Sequence, residues 1–125
     1  MEKETTKENI IALFKVYYIG ESSAIYLSLK NLSLNSKKFM LQKTTFKKEF
    51  SFKKAFIILD DSSNTIKKEL DFLKQKRFKD FFVLLNKRNI SMIDSNSSNF
   101  FIKPLKIFDL HEEIYRRIKK INVTS

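Results

Sequence analysis

The chain has 125 residues, no cysteine and a single proline, and 25 basic against 14 acidic side chains give it a formal charge of +11. That length suits one domain with its own core, and the missing cysteine excludes disulfides, thiolate catalysis and cysteine-based zinc sites. The opening MEKETTKENIIALFK is not a secretory signal, and no apolar run approaches the roughly 20 residues of a membrane span, so a soluble cytoplasmic protein is expected.

Residues 1–13 read as an N-terminal extension with helical potential over Lys7 to Leu13, ahead of one domain over 14–122. FKVYYI, Phe14 to Ile19, is the first strand. Ser22 or Ser23 can cap a helix carrying Ile25, Leu29 and Leu32 on one stripe, with Asn35 as a left-handed stop. KFMLQKTT, Lys38 to Thr45, is the second strand. FKKEFSFKK follows, barely long enough for two or three helical turns. Its Phe46, Phe50 and Phe52 either cover an edge or form a partner-binding patch.

AFIILD, Ala55 to Asp60, is the third strand, and FFVLL, Phe81 to Leu85, the fourth. Strands one, three and four are nearly continuous in apolar residues, as parallel strands covered on both faces must be. Between strands three and four, Asn64 or Thr65 can start a helix with Ile66, Leu70 and Leu73 on its stripe. NKRNISMIDSNSSN has little stripe and reads as a frayed helix or a loop. FFIK, Phe100 to Lys103, is the fifth strand, and Pro104 ends its ladder because it has no N–H to donate. Ile107, Leu110, Ile114, Ile118 and Ile121 then mark a closing helix.

Strand and helix in alternation predict a three-layer α/β/α sandwich with a five-stranded parallel sheet. Ligands of such sheets bind at the carboxyl ends of the strands. Glu21, Asp60 and Lys103 fall at three of those ends and are the candidate site. Asp60 could instead cap the next helix, with Asp61 as its solvated neighbour. The lone His111 has no second ligand nearby and reads as a surface or packing residue.

The positive charge raises the question of nucleic acid. Only four of the basic residues, Arg77, Arg88, Arg116 and Arg117, carry the fork suited to phosphate and base recognition. The lysines are spread along the chain among many Ile, Asn, Phe and Ser, a bias that codon composition explains as well as a basic surface does. Nucleic acid and membrane are therefore not the expected partners.

An acid closing strand three and Lys-Pro closing strand five resemble the receiver domain of bacterial response regulators. Lys103, Pro104, Leu105, Leu110, Ile114 and Ile118 stand at the spacing of that family's C-terminal stretch, and the resemblance runs from about Phe14 to Ile121. It implies a flavodoxin-like sheet of order 2-1-3-4-5, here with shortened second and fourth helices, and a cis Lys103–Pro104 bond. It also implies that Asp60 takes the phosphoacceptor position and Lys103 pairs with it. Mg²⁺, weakly held, would sit on Glu21, Asp60 and the Ser62 backbone carbonyl. Asn86 stands at the switch serine or threonine position and Phe100 at the aromatic switch position.

The departures from the family matter equally. Gly20-Glu21 replaces two adjacent acids at the end of strand one, Asn86 replaces a hydroxyl, and Phe100 lacks a phenol. The resemblance therefore implies a two-component signalling domain of no enzymatic activity, with impaired or absent phosphorylation and no output domain in the chain. Its partner would be a histidine kinase or another signalling protein, with a homodimer left open. The alternative is a pseudo-receiver that acts only by protein interaction. A basic nucleic-acid-binding domain is the third reading, and steep salt dependence would mark it.

Overall fold

The computed structural model describes residues 14–46, 55–93 and 99–124. Five parallel strands form one sheet: β1 (Lys15–Ile19), β2 (Met40–Lys43), β3 (Ala55–Asp60), β4 (Phe81–Leu85) and β5 (Phe100–Ile102), in the order β2-β1-β3-β4-β5. Helices α1 (Ser23–Ser36), α2 (Ile66–Gln75) and α3 (Ile107–Thr124) connect or close them, with a 3-10 turn over Lys87–Met92 between β4 and β5. This is the flavodoxin-like order that the receiver resemblance implies. The extension at 1–13 and the phenylalanines at 50 and 52 lie outside the described residues. Phe46 packs edge-on against Phe72 of α2.

The period-two alternation of strand side chains divides the core into two layers. Val16, Tyr18, Phe56, Ile58, Phe82 and Leu84 point to one face, where Leu29 of α1 and Leu110, Ile114 and Ile118 of α3 cover them. Ile19, Ile57, Leu59, Phe81, Val83 and Leu85 point to the other, under Ile66, Leu70 and Leu73 of α2. β3 is buried along its whole length, as a central strand with helices on both sides must be. The register sets Tyr18 beside Ile58 and Asp60 beside Leu84. Asp60 therefore continues the face of Phe56 and Ile58, toward α1 and α3, and Lys103 continues the same face from Phe101.

α1 begins as expected, with Ser22 accepting from the Ile25 N–H. Its end differs from the expectation. Asn35 remains helical, and the left-handed residue is Lys37, whose φ is 56° and whose N–H donates to the Ser33 carbonyl. The extra turn brings Phe39 back into the core beside the sheet, and that burial outweighs a left-handed lysine. α2 ends in the same way: Arg77 has φ 55°, and the Phe78 N–H donates to the Leu73 carbonyl at 3.0 Å. The segment after β4, expected as a frayed helix or a loop, is described as far as Ile93. It winds as a 3-10 turn with no buried side chain, in keeping with its weak apolar stripe.

His111 is one percent exposed, not a surface residue. Its ring lies 5.1 Å from that of Phe39, and its nitrogens meet Ser36 Oγ at 2.8 Å and Glu112 Oε2 at 2.9 Å. It joins the end of α1 to α3. Among the described residues no helix is long and apolar enough to cross a membrane.

Candidate functional site: a buried carboxylate pair at the sheet edge

β3 delivers two acids in succession. Asp60 is the last strand residue, and the Asp61 N–H still reaches the Leu84 carbonyl at 3.0 Å. The chain then turns sharply, the Ser63 N–H donating to the Asp60 carbonyl at 3.0 Å. β5 ends at Ile102, and Lys103 precedes a cis bond to Pro104. Its ammonium lies 2.5 Å from Asp60 Oδ1 and 2.7 Å from Asp61 Oδ1, so one cation bridges two carboxylates with no side-chain exposure.

Asp60 is sealed. Oδ1 accepts from Lys103 and from the Ser62 N–H at 2.9 Å, and Oδ2 accepts from the Tyr18 hydroxyl at 2.6 Å. Tyr18 arrives from β1 and is itself fully buried. Its oxygen in turn accepts from the Ser22 N–H at 3.2 Å, at the start of α1. Gly20 makes this closure feasible. A β-carbon there would lie 2.5 Å from Asp60 Cβ and 2.9 Å from the Tyr18 hydroxyl, a separation no packed side chain tolerates.

Asp61 is held still more heavily. Besides Lys103, it accepts from the Asn86 backbone N–H at 2.6 Å, from Asn86 Nδ2 at 3.1 Å to each oxygen, and from Asn89 Nδ2 at 2.8 Å. Burial works to raise its pKa, but the bonds from Lys103, Asn86 and Asn89 prevail and hold it at about 2. For Lys103, burial favours the neutral amine. The bonds and charges of Asp60 and Asp61 outweigh it and keep the ammonium above the ordinary lysine range. Burial, then the bond to Asp60 and its charge, push the Tyr18 phenol well above its ordinary value. The proton of that contact therefore stays on the tyrosine.

Of the residues expected from sequence, the structure brings Asp60 and Lys103 together. Ser62 joins them through its N–H, while its Oγ accepts from the Glu21 N–H at 2.7 Å. The Glu21 side chain is exposed. Asn86 sits on Asp61 rather than on Asp60. Phe100 packs on the α2 face of the sheet, opposite the side that Lys103 continues. The expected metal set does not assemble: Asp60 spends both oxygens on protein donors, and among the described residues no three His, Cys, Asp or Glu side chains converge. Mg²⁺ does not fit this arrangement.

Sequence reasoning missed Tyr18 and Asn89 and took Asp61 for a solvated neighbour. The signal for Asp61 was available, since two adjacent acids at a strand end invite one cation to serve both.

The architecture is a flavodoxin-like α/β fold. Two solved structures carry it closely. One is a response regulator receiver modulated diguanylate cyclase from Pelobacter carbinolicus, 20% identical, with a TM-score of 0.59 over 90% of this chain and 97% of that one. The other is an adenylate cyclase from Rhodopirellula baltica, 15% identical, with a TM-score of 0.59 over 89% of this chain and 91% of that one. At these identities the likeness is one of fold. No protein family and no curated protein matches the sequence.

Proposed function

We infer that the chain is a receiver-like signalling domain that works as a pseudo-receiver, contacting a signalling partner without phosphorylation of Asp60. The observation that carries this reading is the closed state of that side chain. Asp60 is 0% exposed, and Oδ2, the oxygen not engaged by Lys103, is hydrogen-bonded to Tyr18 at 2.6 Å. In-line attack on a phosphoryl group needs a free carboxylate oxygen, an approach path and a cation to offset the converging negative charge. Here the oxygens are taken, the path is covered by protein, and the metal set is dispersed. Lys103 instead serves as a structural cation.

The fold favours a partner of the signalling kind. One of the similar structures is described as a cyclase modulated by its receiver, and modulation by contact needs a folded surface rather than a reactive one. A working receiver is the second reading, favoured by the Asp60–Lys103 contact itself. The two separate in a titration of Mg²⁺ with beryllofluoride, followed by amide chemical shifts in the native chain and in Asp60→Asn. The pseudo-receiver reading expects no saturable change near Asp60. A saturable, Mg²⁺-dependent change in the native chain that Asp60→Asn abolishes would overturn it.

A further inference from the structure

The lysines that run evenly along the chain are not spread evenly over the fold. In a parallel sheet joined by helices, each helix runs back against the strands, so helix ends and strand starts share one edge. At that amino edge α1 hands over to β2 through Lys37 and Lys38, and β1 starts on Lys15. Lys74 closes α2, and Lys76, Arg77 and Lys79 lead from it to β4. α3 descends to the same edge with Arg117, Lys119 and Lys120. Arg117 donates to Asn99 Oδ1 at 2.8 Å, and Asn99 Nδ2 donates to the Lys79 carbonyl at 3.3 Å. Lys38 and Lys119 both lie on the Tyr115 ring, 4.1 and 4.6 Å from its centre. Among the described residues one acid, Asp80, stands with these cations. Asp71, Glu112 and Glu113 sit higher on their helices, and the last two are engaged by His111 and Arg116. The carboxyl edge instead mixes Glu21, Asp60, Asp61, Glu69 and Asp109 with its lysines. Codon composition scatters lysine without regard to the fold and leaves this segregation unexplained. Helix dipoles do not account for it either: they favour cations in the last turn, and the last turns of α1 and α3 hold none.

The face has a shape as well as a sign. Asp80, Arg117, Lys120 and Ile121 line an open cleft of about 410 Å³ in it. Helices reach it by their ends, so none lays on it the apolar stripe with which a helix enters a lipid surface. The Tyr115 ring is already covered by Lys38 and Lys119, so charge rather than base stacking is what the face offers. A phosphate backbone asks for lysine and arginine at several points and for nothing else. We propose that the amino edge of the sheet is a docking face for the phosphate backbone of a nucleic-acid duplex, the cleft beside α3 included, and that the contact is independent of base sequence. This goes beyond the pseudo-receiver reading and does not depend on it, because no residue of the carboxyl edge takes part. Five strands spaced by about 4.8 Å make the edge about 20 Å wide. A duplex carries one charge per about 1.7 Å, so that span holds about twelve phosphates, about five of them on the near side.

The test is fluorescence anisotropy of labelled DNA duplexes of two unrelated sequences, titrated with the full chain at several salt concentrations. The native chain is expected to bind both alike, with a slope of log affinity against log salt of about −4.5, a loss of about 500-fold between about 50 and 200 mM. Lys79→Glu with Lys119→Glu reverses two exposed charges of the face and is expected to weaken binding about ten-fold or more. Lys67→Glu with Lys68→Glu makes the same change in net charge on the first turn of α2, at the carboxyl edge, and is expected to cost less than about three-fold. Asp80→Asn removes the acid of the cleft and is expected to tighten binding about two-fold. Vesicles of phosphatidylcholine and phosphatidylserine, sedimented with the native chain at the salt where DNA binds, are expected to leave it in solution. Equal losses in the two double variants overturn the proposal, because net charge alone would then explain the binding. So does the absence of saturable DNA binding at low salt, a slope near zero, or tighter binding to the vesicles than to DNA.

Discussion

Replacing Lys103 by methionine keeps the aliphatic stem and removes the charge that lies 2.5 Å from one buried carboxylate and 2.7 Å from another. Asp60 and Asp61 are then left with their negative charges facing a missing cation. Removing one partner of a buried ion pair costs about 3–5 kcal/mol. The Lys103 side chain is 16% exposed, so water reaches its head and the lower end of that range applies, about 3 kcal/mol. With a urea slope of about 1.5 kcal/mol/M, the unfolding midpoint at pH 7 should fall by about 2 M.

The pH dependence identifies the cause. Without the lysine, Asp61 keeps its bonds from Asn86 and Asn89 but loses the cation that helps offset burial, so its carboxyl is less depressed and the variant loses less stability than the native protein as pH falls. The native protein loses more, because protonation of its more depressed Asp61 carboxyl also gives up the bond from Lys103. The two stability curves should therefore converge as pH falls from about 5 toward 2, the window set by the Asp61 shift. A midpoint unchanged at pH 7, or a deficit that is the same at pH 7 and at about pH 3, would refute the reading of Lys103 as the cation of a coupled carboxylate pair.

In the native chain, Asp61 sits at about 2 against an ordinary 3.8. The unfolded chain thus takes up that proton first, and about 2 kcal/mol of stability present above pH 5 should be lost as pH falls through 4 toward 2, visible in urea midpoints. Gly20→Ala forces a β-carbon to within 2.5 Å of Asp60 Cβ. The expected cost is about 2 kcal/mol, a melting temperature lower by about 8 °C in calorimetry. Tyr18→Phe removes a hydrogen bond to a buried carboxylate and should destabilise by about 1.5–3 kcal/mol in denaturant unfolding. Lys37→Gly relieves a left-handed lysine, φ 56°, at the end of α1 and should stabilise by about 0.5–1 kcal/mol in denaturant unfolding.

The parallel, three-layered sheet could be read from the chain because burial on both faces leaves an unambiguous trace, as in AFIILD and FFVLL, and because alternation with helices permits few connections, while the strand order came with the receiver resemblance. Lys103 was legible for a related reason: Pro104 fixes where its strand ends. What escaped was direction. Two adjacent acids suggest a shared cation but not the further donors, and Asp61 reaches Asn86 and Asn89 only across the turn after β3. Tyr18 looks like any aromatic of a core strand, since its hydroxyl finds a partner in a strand 42 positions away. Glu21 follows a strand end as a metal ligand would, yet its backbone rather than its carboxylate faces the site. The end of α1 was misplaced by two residues because asparagine's left-handed preference is weaker than the need to return Phe39 to the core.

One oxygen atom, the phenol of Tyr18, ties the close of the third strand to the first turn of a helix. It gives its proton to Asp60 and receives one from the Ser22 amide. Any change in charge on that carboxylate alters the phenol's grip, and the helix start loosens or tightens with it. Order in α1 is thus a gauge of the acidic centre, and the Ser22 amide is where the gauge is read.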